Sequence, residues 1–362
     1  MEEGISVIVC CYNSSLRLQP TLEHLYSQTK IPVSKWEVIV VDNASSDNTS
    51  EKAREIWSSF TSAKPPFKVV FEPIPGLSSA RKKGIQEARF KYVLFCDDDN
   101  WLDQYYLNTA LNIMNSSPQI GALGGIGYPV FEKKEPPYFW QNQYHVLAVG
   151  SQWKNEGDIT EERGVLYGAG MVLNKAAFNV LRDQFNFEFQ VSDRMGNNLL
   201  SSGDHELCLA LKQIGYRIYY FKSLVFKHYI PAKRTSLKYY KELFFSFGMS
   251  DAMLSVYFID RNNINSIKND YRYICMRCTK NIIKRWFTLL FKGYYFSFNK
   301  YKYLFHLHHL YNNLGMLKTM MLKKNSFKKI IKENPLFNSG TGRKLVFFGV
   351  ISLCNQLAPM IN

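Results

Sequence analysis

Leu94-Phe95-Cys96-Asp97-Asp98-Asp99-Asn100 sets three adjacent carboxylates directly behind an apolar, β-rich run. Carboxylates this close repel one another unless a cation compensates them. A hard divalent ion such as Mg²⁺ or Mn²⁺ does so while completing its shell with water and phosphate oxygens. A helix N-terminus is the second reading, with the acids complementing the helix dipole and capping a segment from Trp101 onward. Both require the run before Asp97 to be a buried strand, and the first half of the chain repeats that design. Apolar β-rich runs at residues 5–11, 36–41, 68–71, 92–96 and 122–126 alternate with helix-like segments at 16–28, 49–60, 78–88 and 103–114. The alternation predicts an α/β fold with a mostly parallel sheet, and strands so continuously apolar imply helices on both faces.

Ligands of such sheets collect at the carboxyl ends of the strands. Asn13 follows the first run, Asp42 and Asn43 close the second, and Asp97, Asp98 and Asp99 close the fourth. Three strand ends are therefore expected to face one crevice. Past residue 130 the pattern loosens into a Pro- and aromatic-rich stretch. It tightens again at 166–173, in a helix from Lys175, in a helix-like segment at 204–214 and in a strand pair at 217–221 and 224–227; beyond Pro231 mainly helices are expected.

Charge divides the chain. Residues 231–362 hold 22 Lys/Arg against 5 Asp/Glu, so the whole basic excess lies in the C-terminal third. Such asymmetry points to an anionic partner surface, a membrane or nucleic acid. Seven cysteines, several in apolar runs, fit a reducing compartment, and the lone Cys275/Cys278 pair reads as two helix-face thiols. No secretory leader is visible at the start, and the apolar stretch at 345–360 is shorter than the ~20 residues of a spanning helix. A cytoplasmic location is expected, with peripheral attachment to the inner face of the cell membrane.

These motifs, in this order, resemble the family 2 glycosyltransferases with the GT-A fold, over residues 4–234. Ile5-Ser6-Val7-Ile8-Val9-Cys10-Cys11-Tyr12-Asn13 is similar to the family's opening strand and loop, Val38-Ile39-Val40-Val41-Asp42-Asn43-Ala44-Ser45 to its nucleoside-binding strand end, and the aspartate run to its DxD motif. The resemblance implies a Rossmann-like sheet and assigns Asn13, Asp42, Arg81, Asp97 and Asp98 to the nucleotide, with Asp42 on the uracil. It assigns Asp97, Asp99 and the late His228 to Mn²⁺ or Mg²⁺. In Pro75-Gly76-Leu77-Ser78-Ser79-Ala80-Arg81-Lys82-Lys83, Arg81 matches the arginine that reaches the donor phosphates, and Lys83 stands where the family has Asn. Ser202-Gly203-Asp204-His205-Glu206-Leu207 resembles the segment of the catalytic base, which makes Asp204 the base although Gly203 replaces the usual acid. Arg234, Glu206 and Gly170 are candidates for phosphate or acceptor contacts. Apart from the resemblance, Asp42 also reads as a turn residue, Asp204 as a helix N-cap and His228 as an ordinary hydrogen-bonded strand-end histidine. Trp140 and Trp153 read as sugar platforms or as core.

Two regions follow, a transferase domain at 1–234 and a helical, basic, aromatic-rich region at 235–362. In the latter, Met316, Met320, Phe327, Ile330 and Ile331 share one helical face with lysines elsewhere, which suits an interfacial helix or core packing. The expected activity is inverting transfer from a UDP-sugar to a glycan or lipid-linked acceptor in surface polysaccharide synthesis, with an anionic membrane rather than nucleic acid as the surface partner. A nucleotidyltransferase would share the sheet and the metal, but its Gly-rich N-terminal phosphate loop is missing. A non-enzymatic basic membrane-binding protein leaves the acidic triplet and Asp204 unexplained.

Overall fold

Val- and Ile-rich segments form the sheet, beginning with β1 (Glu2–Cys11), β2 (Trp36–Asp42), β3 (Phe67–Phe71) and β4 (Phe90–Asp97). The computed structural model describes residues 1–133, 136, 140, 143–191, 199–258, 264–291 and 300–323, with side chains in 264–270 and at 300 and 301 left undescribed. Side chains alternate across the pleat, so Ile8, Ile39, Val93 and Phe95 enter one apolar cluster while Val7, Val38, Leu94 and Cys96 enter another on the opposite face. Double coverage is why both registers are apolar. Helices α1 (Leu18–Tyr26), α2 (Thr49–Ser59), α3 (Leu77–Glu87), α4 (Tyr106–Ser116), α5 (Lys175–Phe185) and α6 (Gly203–Gln213) complete the layers.

The remaining strands are β5 (Asn100–Leu102), β6 (Ile120–Phe131), β7 (Gly157–Asp158), β8 (Val172–Asn174) and β9 (Arg217–Ile230). Sheet order is β3-β2-β1-β4-β8-β6-β9-β5, with β7 against β9. The β1–β4 block and the β6·β9 pair are parallel, while β8, β5 and β7 pair antiparallel. Two expectations change. The strand pair at 217–221 and 224–227 is one strand, β9, because a register irregularity opposite Gly124 and Ile126 absorbs the polar interruption. The second reading of the aspartate run, a helix from Trp101 onward, gives way to strand β5, and the helix expected at 103–114 is α4, which starts at Tyr106. Asn100 decides this: its side chain accepts from the Asp97 N–H at 3.1 Å and donates to Asp99 at 3.1 Å, turning the chain so that β5 meets β9.

After a 3₁₀ turn at Ala232–Thr235 come α7 (Leu237–Leu254), α8 (Ile264–Phe291) and α9 (Lys300–Leu322). These helices share a core with the sheet: Ala252, Ile274, Cys278, Met316 and Met320 lie in the same cluster as Ile8 and Phe95. Met316 and Met320 therefore serve packing, not a free amphipathic face; Phe327, Ile330 and Ile331 lie outside the described residues. The α7 and α9 backbones touch, since a Cβ at Gly248 would lie 1.8 Å from the Asn312 carbonyl and one at Gly315 1.9 Å from that of Phe245. Cys275 and Cys278 are free thiols on α8, and no described helix is long and apolar enough to cross a membrane.

Asp251, half-buried at this crossing, accepts a 3.0 Å hydrogen bond from Asn312 Nδ2, and desolvation pushes its carboxyl up to about 6. The folded state therefore binds a proton that the unfolded chain has already released between the ordinary carboxylate pKa and about 6. Stability falls as pH rises through that window and stays reduced above it. Asp251→Asn keeps the acceptor without the charge. It is expected to stabilise the protein by about 1–3 kcal/mol at pH 8 and hardly at all at pH 4, read as melting temperature at the two pH values.

Candidate active site

The carboxyl ends of β1, β2 and β4 open onto a cavity of about 470 Å³, whose lining includes Tyr12, Arg17, Asn43, Arg81, Asp97, Asp98, Asp99, Asp204, His228, Arg234 and Tyr239. Strand pairing assembles it. Asn100 lies opposite His228 in the β5·β9 ladder, and Tyr229 N–H donates to the Asp99 carbonyl at 2.9 Å. Residues far apart in sequence thereby meet: Asp99 Oδ1 is 3.5 Å from His228 Nε2, and Arg234 Nη1 is 3.1 Å from Asp99 Oδ2 and 3.5 Å from His228 Nε2.

The three aspartates have separate environments. Asp98 is buried, accepts from Ser14 and pairs with Arg17 at 2.6 Å. Burial and then Asp99 raise its carboxyl above the usual range, and Arg17 opposes them. Asp97 is partly exposed on the cavity wall. Asp99, 4% exposed, faces His228 and Arg234. Among the described residues no group of three or more His, Cys, Asp or Glu side chains converges as a closed metal cage. The donors nevertheless fit a hard divalent ion of the diphosphate-binding kind. One carboxylate oxygen and one imidazole nitrogen sit together at the cavity, with the remaining positions open to phosphate and water. A cation already compensates Asp99 there, the Arg234 guanidinium.

Arg81, 4% exposed on α3, lies over the Phe95 ring at 5.0 Å from its centroid. It needs Gly168, where a Cβ would fall 2.3 Å from Arg81 Nη2. Because that atom is the end of a flexible side chain, Gly168→Ala is expected to displace the guanidinium rather than unfold the protein. If Arg81 reaches the donor phosphates, as the resemblance implies, donor KM should rise roughly tenfold, about the worth of one charge-assisted contact, with little change in melting temperature. Steady-state kinetics with melting as control checks this.

Gly168 N–H also donates to Asp204 Oδ2 at 2.5 Å, and His205 N–H to Asp204 Oδ1 at 2.8 Å. Asp204 thus stands on the first turn of α6, on the cavity wall, with both oxygens oriented by backbone donors. Ser202, in the left-handed region at φ 95°, makes the turn into α6, and Ser250 of α7 donates to the Ser201 carbonyl.

Several expected residues lie off the cavity. Asp42 accepts from Ser45 N–H at 3.1 Å and Ser50 Oγ at 2.5 Å, and Asn13 Oδ1 accepts from Ser46 N–H at 2.8 Å, so both hold the loop after β2. Glu206 is fully buried, accepting from the Gln190 and Val191 N–H groups and from Tyr257 at 3.1 Å. Gly170 faces Tyr106, whose hydroxyl donates to its carbonyl at 2.6 Å. Lys83 pairs with Glu87 along α3. Trp140 is core, donating to Thr235, and Trp153 donates to Glu162; neither lines the cavity. Sequence reasoning passed over Arg17 and Tyr239 and gave Asn43 no role, although Asn43 clamps the Glu72, Ile74 and Gly76 backbone at the rim. Only Asn43's place at a strand end offered a signal.

Residues 6–179 match the glycosyl transferase family 2, and the sheet and cavity have a GT-A type fold. It is 31% identical over 108 residues to the putative glycosyltransferase EpsH of Bacillus subtilis, covering 30% of this chain and 29% of that one. It is 32% identical over 124 residues to a poly-beta-1,6-N-acetyl-D-glucosamine synthase of Staphylococcus epidermidis, covering 34% and 28%. The aligned part is less than a third of either relative. In fold it is similar to the mannosyltransferase PcManGT of Pyrobaculum calidifontis in complex with GDP-Man and Mn²⁺ (TM-score 0.55, 16% identity, 89% of this chain and 88% of that one). It is also similar to S. aureus TarS 1-349 in complex with UDP-GlcNAc (TM-score 0.50, 16% identity, 90% and 92%).

Proposed function

We propose that this glycosyltransferase moves a sugar, with inversion, from a UDP-sugar to a glycan or lipid-linked acceptor in surface polysaccharide synthesis, at the inner face of the cell membrane. The observation that carries the reading is the convergence of Asp97, Asp99, Arg81, His228, Arg234 and Asp204 on one cavity. Bound Mn²⁺ or Mg²⁺ would be held by Asp99 and His228, with Asp97 beside them, and would neutralise charge on the departing diphosphate. Arg81 and Arg234 supply permanent positive charge on the same wall, and Arg234 turns from Asp99 to the phosphates as the diphosphate leaves. Asp204 accepts the acceptor hydroxyl's proton as that oxygen attacks the anomeric carbon. In this reading residues 1–234 carry the chemistry and residues 235–362 face the acceptor and the membrane. Support for a nucleotide-sugar donor comes from the UDP-GlcNAc and GDP-Man of the two structural neighbours, and for a glycan acceptor from the synthase relatives.

A hydrolysis screen of UDP- and GDP-sugars, each with Mn²⁺ and with chelator, tests the proposal. Turnover of one UDP-sugar only with Mn²⁺ is expected. Turnover of a GDP-sugar alone would move the donor assignment, and turnover in chelator would remove the metal.

A further inference from the structure

Helix α8 carries apolar side chains on both sides. Ile274 and Cys278 face the core, while Tyr273, Met276, Ile283, Trp286, Phe287 and Leu290 are each 48–66% exposed on the opposite side. Large apolar side chains exposed in this number along one helix face mark a surface with a partner. Among the exposed apolar residues stand Arg272, Lys280 and Lys284, with Arg277 at the edge over the Tyr273 ring. The chain from Tyr271 to Lys332 contains 14 Lys/Arg and not one Asp or Glu.

We propose that this outer face of α8 is a docking surface for an anionic lipid bilayer, with Trp286, Phe287 and Leu290 entering the headgroup boundary and the cations meeting lipid phosphates. The inference rests on the membrane-partner reading above and gives it a place, which differs from residues 316–332 because Met316 and Met320 are occupied in the core. Charge selects the occupant. A second copy docked through the same face would set these cations against their own kind, because from Tyr271 to its end α8 has no carboxylate to pair with them. An anionic bilayer supplies both the apolar layer and the opposite charge.

The test is sedimentation of the full chain with phosphatidylcholine vesicles with and without phosphatidylglycerol, on wild type and two double variants. Ile283→Gln with Phe287→Gln removes apolar contact, and Lys280→Glu with Lys284→Glu reverses charge; all four side chains are exposed, so the fold should persist, as melting temperature checks. Wild type is expected to pellet only with the anionic vesicles and to be released by raised salt, and each double variant to partition at least tenfold less. Wild type failing to pellet with anionic vesicles would overturn the membrane reading together with the docking face. Wild type pelleting while both variants behave like it would overturn the α8 face alone. Equal pelleting with neutral vesicles would remove the electrostatic argument. A wild-type dimer dissociated by the apolar pair would show that a second copy is the occupant. Nucleotide binding, measured in parallel, keeps these outcomes separate from the transferase assignment.

Discussion

Asp204→Asn is expected to keep nucleotide binding and to lose transfer by ~10²–10⁴-fold, the usual worth of a general base. The amide is nearly isosteric and its oxygen can still accept from Gly168 N–H and keep the turn into α6, but it cannot take a proton from the acceptor. If Asp204 served only that turn, the change would cost about 1 kcal/mol of stability and leave the rate near wild type. Turnover, nucleotide affinity and melting temperature, taken together, tell the two roles apart. Near wild-type transfer would end the assignment. Glu206 would not then inherit it, because its carboxylate is enclosed by the Gln190 and Val191 backbone and Tyr257.

Asp99→Ala is expected to abolish the extra thermal stabilisation that UDP and Mn²⁺ give together and to lower turnover roughly 10³-fold, the several kcal/mol a metal supplies at a leaving group. Wild type at ligand concentrations about 100 times Kd gains ~2.7 kcal/mol, so the loss is easily read. The variant also frees Arg234 from its 3.1 Å contact, so the increment on adding ligand, not the absolute melting temperature, is the quantity to compare. An unchanged increment would remove Asp99 from the metal site.

The α/β alternation was legible because apolar residues dominate the strands on both faces, so β1, β2, β3, β4 and β6 stand out from composition alone. Strand β5 was not, since three residues carry no periodicity and its existence depends on β9, more than 100 residues away. That long-range pair is also what brings Asp99 to His228, so the donor set could be named from resemblance but its assembly could not be read from spacing. Asp42 shows the opposite limit. Its place at a strand end was clear, whereas the engagement of both oxygens by Ser45 and Ser50 depends on a loop path that the sequence does not spell out. The contribution of α7, through Ser250 to the loop before Asp204, was equally hidden, because one serine in a helix carries no pattern.

The claim that one cavity holds metal and nucleoside diphosphate together is tested most directly by calorimetric titration of UDP into the wild-type protein, once in Mn²⁺ and once in chelator. Binding at least tenfold tighter with Mn²⁺ is expected, a difference of about 1.4 kcal/mol or more. Equal affinity in the two titrations would contradict it.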